Sequence, residues 1–182
     1  MINSDLKEKI INIKLLILDV DGVLSDGKII LTNNGNETKN FDVKDGLGML
    51  LLQNFGIKLA VITGKTSKIV QNRLADLGVT DIFQGQKNKI QAYQELLNKY
   101  HIREENVAYM GDDLPDLALM LKSAITFAPY DAIDVVKSQV DYVSLRKGGH
   151  GAVREICDLI LKCHGVFDQV IADYLTYGEA RL

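Results

Sequence analysis

The sequence predicts a doubly wound α/β domain with a mainly parallel sheet, a protruding β-hairpin and no cap domain. Three observations favour this fold class. Short apolar runs typical of buried strands alternate with stretches of helical periodicity. The chain has 182 residues, which suffices for one domain with a real core and is short for two. No insertion long enough to form a cap separates the alternating elements.

The N-terminal half supplies two strands, a hairpin and two helices. "KLLILDV" is a continuous apolar run of the kind found in central parallel strands. "GKIILTNNGNETKNFDV" holds two extended stretches around the turn signal "NNGN", which predicts a hairpin at about residues 28–41. The helix "DGLGMLLLQNFG", the buried strand "IKLAVITG" and the helix "TSKIVQNRLADLG" follow. The second of these helices should begin at a Thr/Ser cap and end at Gly78.

The C-terminal half continues the alternation. "DIFQG" and "NVAYMGDD" predict strands around the helix "NKIQAYQELLNKY", and "LPDLALMLKS" predicts a short helix. "AITFA" and "DYVSL" predict strands around the helix "DAIDVVKS", and "GGHGAVREICDLILKCHG" predicts a glycine loop that becomes a helix. We assign residues 1–165 to one domain and 166–182 to a C-terminal tail, which we expect to be poorly anchored.

Charge and hydropathy disfavour nucleic acid as the main partner and a membrane-spanning segment. The 21 basic and 24 acidic residues give a formal net charge of −3, which disfavours nucleic acid as the main partner. No apolar run approaches the roughly 20 residues of a membrane span. The first residues, "MINSDLKEKIINIK", lack a signal-peptide core, so we expect a cytoplasmic protein. Cys157 and Cys163 have no metal-binding spacing and should be reduced thiols.

Polar side chains follow four of the predicted strands. Because the carboxyl ends of parallel strands lie at the same edge of a sheet, we expect these side chains to meet there. They are Asp19, Asp21, Thr63, Lys89, Asp112, Asp113 and Asp116. Clustered carboxylates raise each other's pKa unless a cation offsets them, and oxygen ligands of this kind suit Mg²⁺. A lysine and a hydroxyl beside such an ion suit a phosphoryl group.

Each motif alone also has a purely structural interpretation. "DVDG" is compatible with a turn and a helix cap, and "GDDLPD" with a cluster of capping residues. Taken together, in this order and each at a strand end, they favour phosphoryl transfer. One aspartate could attack phosphorus while its neighbour two positions later moves protons.

The motifs "LDVDG", "VITG", "GQKNK" and "GDDLPD", in this order, resemble those of the haloacid dehalogenase superfamily of phosphatases. "FDVKDGLG", "ITGK" and "GGHGAVREICDLIL" extend the resemblance, from residue 14 to about residue 161, to its family of 3-deoxy-D-manno-octulosonate 8-phosphate phosphatases. This implies a cap-less Rossmann-like core, a homotetramer and hydrolysis of a phosphorylated eight-carbon sugar acid through an aspartyl-phosphate. The product would enter lipopolysaccharide precursor synthesis.

The resemblance also implies roles for single residues. Asp19 would be the nucleophile and a Mg²⁺ ligand. Asp21 would be the general acid/base, would contact substrate and would offer its backbone carbonyl to the ion. Asp112 would complete the protein ligands, and Thr63 and Lys89 would hold the phosphoryl oxygens. Asp113 and Asp116 would lie behind the metal ligands and would orient water and Lys89.

Further substrate contacts are implied on the segment after the hairpin and on two basic residues that follow the motif "VITG". They comprise Asp42, Val43, Lys44, Asp45, Gly46, Lys65 and Arg73. Two positions depart from the family pattern. Lys65 replaces a common arginine and so lacks the fork that binds a carboxylate in bidentate fashion, and Leu50 replaces a residue that is basic in some members.

Two classes of function stay open at this point. The first is a phosphatase, acting on the octulosonate or alternatively on a related nonulosonate or another sugar phosphate. The second is a non-catalytic oligomerisation or regulatory module. A degenerate module would be expected to lose part of the catalytic set, and Asp19, Asp21, Lys89 and Asp112 are all present.

Overall fold

The computed structural model describes residues 4–181 and contains a six-stranded parallel sheet with helices on both faces. In spatial order the strands are β5, β4, β1, β6, β7 and β8, so the connections reverse direction at β1. The bounds are β1 Leu15–Leu18, β4 Lys58–Ile62, β5 Asp81–Phe83, β6 Val107–Met110, β7 Ile125–Ala128 and β8 Tyr142–Val143. This confirms the predicted doubly wound fold class.

Eight helices accompany the sheet in the described part of the chain. They are α1 Ser4–Ile11, α2 Val43–Asn54, α3 Lys68–Asp76, α4 Ile90–Tyr100, α5 Leu117–Met120, α6 Asp134–Lys137, α7 Ala152–Cys163 and α8 Phe167–Tyr177. None of the helices within residues 4–181 has the length and apolarity to cross a bilayer.

The strands separate two apolar cores because successive side chains of a strand point to opposite faces. Leu16 and Leu18 of β1 face a core that α2, α3 and α7 share. Leu15 and Ile17 face a second core formed with α4 and α5. All four β1 side chains are fully buried, so the strand's carboxyl end is held rigidly.

The predicted hairpin is present between β1 and α2. Its strands are β2 Ile30–Leu31 and β3 Glu37–Thr38, which pair antiparallel, and a bridge between Ser25 and Phe41 closes its base. Ile29, Ile30 and Leu31 expose 63%, 39% and 65% of their surface. The hairpin therefore carries an apolar patch that the subunit itself leaves uncovered.

Several elements differ from the expectations. The helix expected over 114–123 is a 3₁₀ turn at Leu114–Asp116 followed by the short α5, because the Asp116 side chain turns back onto the preceding loop. The helix expected over 131–138 begins only at Asp134, since the N–H of Ile133 donates to the carbonyl of Asp112. Helix α1 has no counterpart in the expectations.

The expectation that the tail is poorly anchored is wrong. Residues 167–177 form α8, in which Val170 and Asp173 are almost fully buried. The Asp173 carboxylate accepts hydrogen bonds from Gln169 Nε2 at 2.6 Å and from the backbone N–H of Arg181 at 2.9 Å. The division of the chain into a domain and a tail stays a prediction.

Candidate active site

The carboxyl ends of β1, β4 and β6 open onto a cavity of about 460 Å³. It lies where the sheet connections reverse, which is the usual ligand position in open α/β sheets. All residues that the sequence analysis placed at the strand ends line it. They are Asp19, Asp21, Thr63, Lys89, Asp112, Asp113 and Asp116, with Lys65 and Lys87 at the rim.

Asp19 is held at the end of β1, because its N–H donates to the carbonyl of Met110 at 3.0 Å. Its side chain is 13% exposed, and Lys89 Nζ lies 3.2 Å from Oδ1. Within the described chain no donor completes a well-formed hydrogen bond to that oxygen. Burial, reinforced by the charge of Asp116, raises the pKa of Asp19 to about 6. Asp19 thus presents an oxygen that the protein leaves available.

Lys89 joins Asp19 to a buried polar network. Its Nζ donates to Asp116 Oδ1 at 2.7 Å and approaches the hydroxyl of Tyr109 at 3.4 Å. That hydroxyl in turn donates to the same Asp116 oxygen at 2.7 Å. Burial favours the neutral amine, but the charges of Asp19 and Asp116 outweigh it and the pKa of Lys89 is raised. Lys89 therefore stays an ammonium ion.

Asp116, in contrast to Asp19, has every oxygen engaged. Oδ2 accepts the backbone N–H groups of Asp112 at 3.0 Å and Asp113 at 3.2 Å. A Cβ at position 111 would lie 2.4 Å from Asp116 Cγ, so Gly111 is what allows this close approach. Asp116 thus shapes the loop after β6 and holds Lys89.

Asp112 shares the cavity with Asp19. Burial and the charges of Asp116 and Asp19 raise the pKa of Asp112 to about 8. Its Oδ1 is buried and has no hydrogen-bond partner among residues 4–181. Gly22, with φ +88°, lies so close that a Cβ there would be 2.0 Å from Asp112 Oδ2. The glycine after the two aspartates of "DVDG" is therefore needed for the loop to meet Asp112.

The donor set fits a hard divalent cation. Asp19, Asp112 and Asp116 each offer an oxygen within 4.8 Å of the others. Among residues 4–181, the buried side-chain oxygens without a hydrogen bond belong to Asp19 and Asp112, and burying such oxygens is unfavourable unless a cation offsets their charge. Because both oxygens of Asp116 are saturated by donors, the side chains available to an ion are Asp112 and Asp19, of which Asp19 also lies 3.2 Å from the Lys89 ammonium.

Thr63 and Lys65 are positioned by the neighbouring strand. The N–H of Thr63 donates to the carbonyl of Phe83 at 2.9 Å, and its carbonyl accepts from Gln86 at 3.0 Å. Thr63 is buried, whereas Lys65 is exposed at the rim of the cavity. The loop after β4 therefore offers a hydroxyl inside the cavity and a cation at its mouth.

Asp21 has a partner that the sequence analysis missed. Lys39, on the hairpin, places its Nζ 2.5 Å from Asp21 Oδ1 and 3.2 Å from Glu37 Oε1. The period of two along a strand puts Glu37 and Lys39 on one face, which is a detectable signal for this pair. Its contact with Asp21 depends on how the hairpin folds back. Tyr109 was also missed, because a tyrosine in a buried strand has the sequence pattern of a core residue.

The other implied substrate contacts form a separate group. A Cβ at Gly46 would lie 2.5 Å from Arg73 Nη2, so Arg73 packs directly on the segment 42–46. Asp42 caps α2 by accepting from the N–H of Lys44 at 2.8 Å. Lys44 and Val43 are exposed. Neither Arg73 nor any residue of 42–46 lines the cavity of Asp19.

Asp45, in this second group, is committed to another helix. It is 2% exposed, and its carboxylate accepts from the N–H of Arg154 at 2.7 Å and of Gly151 at 3.4 Å. Both donors lie at the start of α7, so Asp45 caps that helix from α2. Burial raises the pKa of Asp45 to about 6 despite these bonds.

Fold and site together define a class of hydrolases. The sequence profile of the haloacid dehalogenase-like hydrolases matches residues 61–156, which include the strand ends with Thr63, Lys89 and Asp112. The match covers more than half of the chain, and the chain belongs to this superfamily.

Comparison with individual relatives identifies the family within this superfamily. The 3-deoxy-D-manno-octulosonate 8-phosphate phosphatase of Escherichia coli K12 is 48% identical over 168 residues, which are 92% of this chain and 89% of that protein. The Yersinia pestis phosphatase structure superposes with a TM-score of 0.90 at 43% identity, covering 92% of this chain and 90% of that one. The structure of the Moraxella catarrhalis phosphatase in complex with a magnesium ion, a phosphate ion and a KDO molecule also superposes with a TM-score of 0.90 at 43% identity, covering 92% of this chain and 97% of that one. The chain thus belongs to the 3-deoxy-D-manno-octulosonate 8-phosphate phosphatase family.

Proposed function

We propose that the protein is a Mg²⁺-dependent phosphomonoesterase that hydrolyses 3-deoxy-D-manno-octulosonate 8-phosphate to the free sugar acid and phosphate. One observation carries the proposal: Asp19 presents a buried oxygen without a hydrogen bond in the strand-end cavity, 3.2 Å from the Lys89 ammonium. An anionic nucleophile beside a fixed cation suits attack on phosphorus. The name of the Escherichia coli relative supports the substrate, and with it a role in lipopolysaccharide precursor synthesis.

Magnesium fits the two buried carboxylate oxygens that accept no hydrogen bond. Asp19 and Asp112 would hold it through their side chains and Asp21 through its backbone carbonyl. When bound, the ion offsets the repulsion between the carboxylates and neutralises charge on the phosphoryl group. The magnesium and phosphate in the Moraxella catarrhalis structure support this choice of ion.

The first half of the reaction forms a covalent intermediate. The Asp19 carboxylate attacks phosphorus and the bond from phosphorus to the sugar oxygen breaks. Asp21 donates its carboxyl proton to that leaving oxygen. Lys89 and the hydroxyl of Thr63, both in the cavity lining, hold the phosphoryl oxygens. The network through Asp116 and Tyr109 keeps the Lys89 ammonium in place.

The second half returns the protein to its starting state. Asp21, now a carboxylate, removes a proton from a water molecule whose oxygen attacks the aspartyl-phosphate. The bond between phosphorus and the Asp19 oxygen breaks, and inorganic phosphate leaves. The proton from water replaces the one that Asp21 gave to the sugar, so that one water is consumed and the protein is unchanged.

Recognition of the sugar carboxylate needs a cation away from Lys89. Lys65 at the cavity mouth is the candidate within the same subunit. Arg73 and Lys44, which lie in the separate group, are candidates for contact with a substrate bound to a neighbouring subunit. Arg73 has the planar fork that matches a carboxylate, and Lys65 does not.

We further propose a cytoplasmic homotetramer. The exposed apolar patch of Ile29, Ile30 and Leu31 supports association through the hairpins. Cys157 and Cys163 are both buried free thiols, as is usual in a reducing compartment. Light scattering should give a tetramer, and Leu31→Glu should dissociate it, whereas Leu121→Glu, at a residue 82% exposed elsewhere, should not. A monomeric wild-type protein at micromolar concentration would contradict the assembly.

A substrate panel tests the activity. Phosphate release should require Mg²⁺, and kcat/KM should be at least ~10-fold higher for the octulosonate 8-phosphate than for a nonulosonate 9-phosphate or a neutral hexose phosphate. A preference for the nonulosonate would assign the protein to the alternative sugar acid, in keeping with Lys65 and Leu50. No phosphate release from any ester, p-nitrophenyl phosphate included, would favour a non-catalytic module.

A further inference from the structure

Lys39 is a half-buried lysine on an exposed hairpin. Its side chain is only 2% exposed, although Lys28 and Asn40 near the two ends of the hairpin are exposed. Removing an ammonium group from water is unfavourable unless anionic partners meet it. Asp21 and Glu37 both meet Lys39, at 2.5 Å and 3.2 Å. The hairpin therefore sends one specific side chain inward, to Asp21.

Glu37 ties this lysine to the rest of the site. Its Oε1 pairs with Lys39, and its Oε2 accepts from the Ser67 hydroxyl at 3.0 Å. Ser67 is the N-cap residue of α3, yet its side chain makes no capping bond and its hydroxyl donates to Glu37. The Ser67 N–H is in turn bound by Gln84 Oε1 at 2.7 Å. A continuous series of bonds thus runs from the loops after β4 and β5 to Asp21.

The two oxygens of Asp21 are treated differently. Oδ1 receives Lys39 and, at 3.5 Å, the hydroxyl of Ser25. No donor in the described part of the chain bonds to Oδ2. Asp21 lines the cavity, whereas Lys39 does not. Lys39 therefore binds Asp21 Oδ1 without itself lining the cavity.

We propose that Lys39, held by Glu37 and Ser67, is a positioning residue that orients Asp21 Oδ2 for proton transfer; this rests on the proposed function. A carboxyl that donates a proton to a leaving oxygen must lie within hydrogen-bond distance of it. Loss of the contact between Lys39 and Asp21 should therefore slow the steps that need that proton. Folding and phosphate binding depend on Asp19, Lys89 and the sheet, and should be kept.

The test compares leaving groups. The sugar alkoxide must be protonated as it leaves, whereas p-nitrophenolate is a stable anion. Lys39→Met should lower kcat/KM for the octulosonate 8-phosphate by about 10- to 100-fold, and that for p-nitrophenyl phosphate by less than about 3-fold. KM for both should change little. Lys39→Arg should restore part of the loss, and Lys28→Met, at an exposed lysine of the same hairpin, should match wild type.

A double variant separates positioning from folding. In an Asp21→Asn background, Lys39→Met should cause no further loss, because the amide at position 21 has no acidic proton to transfer. Equal losses on both substrates, or additive losses in the double variant, would overturn the proposal. Any sugar phosphate that the wild type hydrolyses can replace the octulosonate. Failure of the proposed substrate is therefore distinguishable from failure of Lys39.

Discussion

Asp19 and Asp45 are two buried aspartates with opposite surroundings. Burial raises the pKa of each carboxyl to about 6. Asp45 gives its oxygens to two backbone N–H groups at the start of α7, whereas Asp19 keeps one buried oxygen without a hydrogen bond. Burial and pKa alone do not separate them; hydrogen-bond saturation does. A saturated carboxylate supports the fold, and an unsaturated one beside Lys89 is available for chemistry.

The same substitution at the two positions should have the largest effect. Asp19→Asn should lower turnover of p-nitrophenyl phosphate by at least ~1,000-fold, because an amide cannot attack phosphorus. The metal-free variant should unfold at a higher temperature than wild type, since one of the mutually repelling carboxylates is gone. Steady-state kinetics and thermal melts check both results.

Asp45→Asn is the matched control. It should keep turnover of p-nitrophenyl phosphate within about 10-fold of wild type, because Asp45 acts on α7 and lies outside the cavity. Substantial activity in Asp19→Asn, or inactivity in a folded Asp45→Asn protein, would reverse the comparison.

Metal removal should abolish activity at Asp19 and Asp112, whose buried oxygens lack hydrogen bonds, and should leave the fold unchanged. Excess EDTA should abolish turnover and Mg²⁺ should restore it, whereas Ca²⁺ should restore little because its larger, looser shell misplaces the attacking oxygen. The circular dichroism spectrum should not change on chelation, since the saturated carboxylates need no ion. Full activity in EDTA would mean that Asp19 and Asp112 do not form a metal site.

The second group should contribute to substrate choice. Arg73→Ala should lower kcat/KM for the octulosonate 8-phosphate by about 10- to 100-fold, the scale of a lost charge-assisted pair, and hardly change that for p-nitrophenyl phosphate. Arg103→Ala, at an exposed arginine elsewhere, is the control. Equal losses on both substrates would give Arg73 a structural role against Gly46.

The pH dependence of stability should report Asp45. Its pKa is raised from 3.8 to about 6 on folding, so protonation of the Asp45 carboxyl favours the folded state. The stability that it contributes is full below about pH 4 and declines as pH rises to about 6, by on the order of 2–3 kcal/mol. Subtracting the unfolding free energy of Asp45→Asn at each pH isolates this change. If this difference in unfolding free energy does not change with pH, the N–H groups at the start of α7 offset the effect of burial on the pKa of Asp45.

Asp19, Thr63, Lys89 and Asp112 could be predicted to share one cavity, because the carboxyl ends of parallel strands lie at one edge of a sheet whatever the details of packing. Lys39 could not be assigned in this way, since its contact with Asp21 depends on how the hairpin returns to the sheet. Helix α8 escaped prediction because the polar end of "TYGEARL" outweighed the apolar residues before it. In fact Asp173 secures that end by binding the Arg181 N–H.

The segment 42–46 shows the limit of residue-by-residue transfer. The resemblance treats it as one substrate-binding stretch, yet Asp42 caps α2, Asp45 caps α7 and Val43 is exposed. Adjacent residues of a helix start face different directions, so a linear motif does not fix their roles. Their contact with substrate stays a prediction, to be resolved with the assembled oligomer.

The most direct test of the central claim is to trap the phosphorylated carboxylate. The Mg²⁺-loaded protein is mixed with p-nitrophenyl phosphate, quenched in acid within the first turnover and reduced with borohydride, which converts an aspartyl-phosphate to homoserine. Peptide mass mapping should find homoserine at position 19, and none at positions 45, 112 or 116. Homoserine at any of those other positions, or no reduced residue in a protein that turns over, would contradict the assignment of Asp19 as the unsaturated nucleophile.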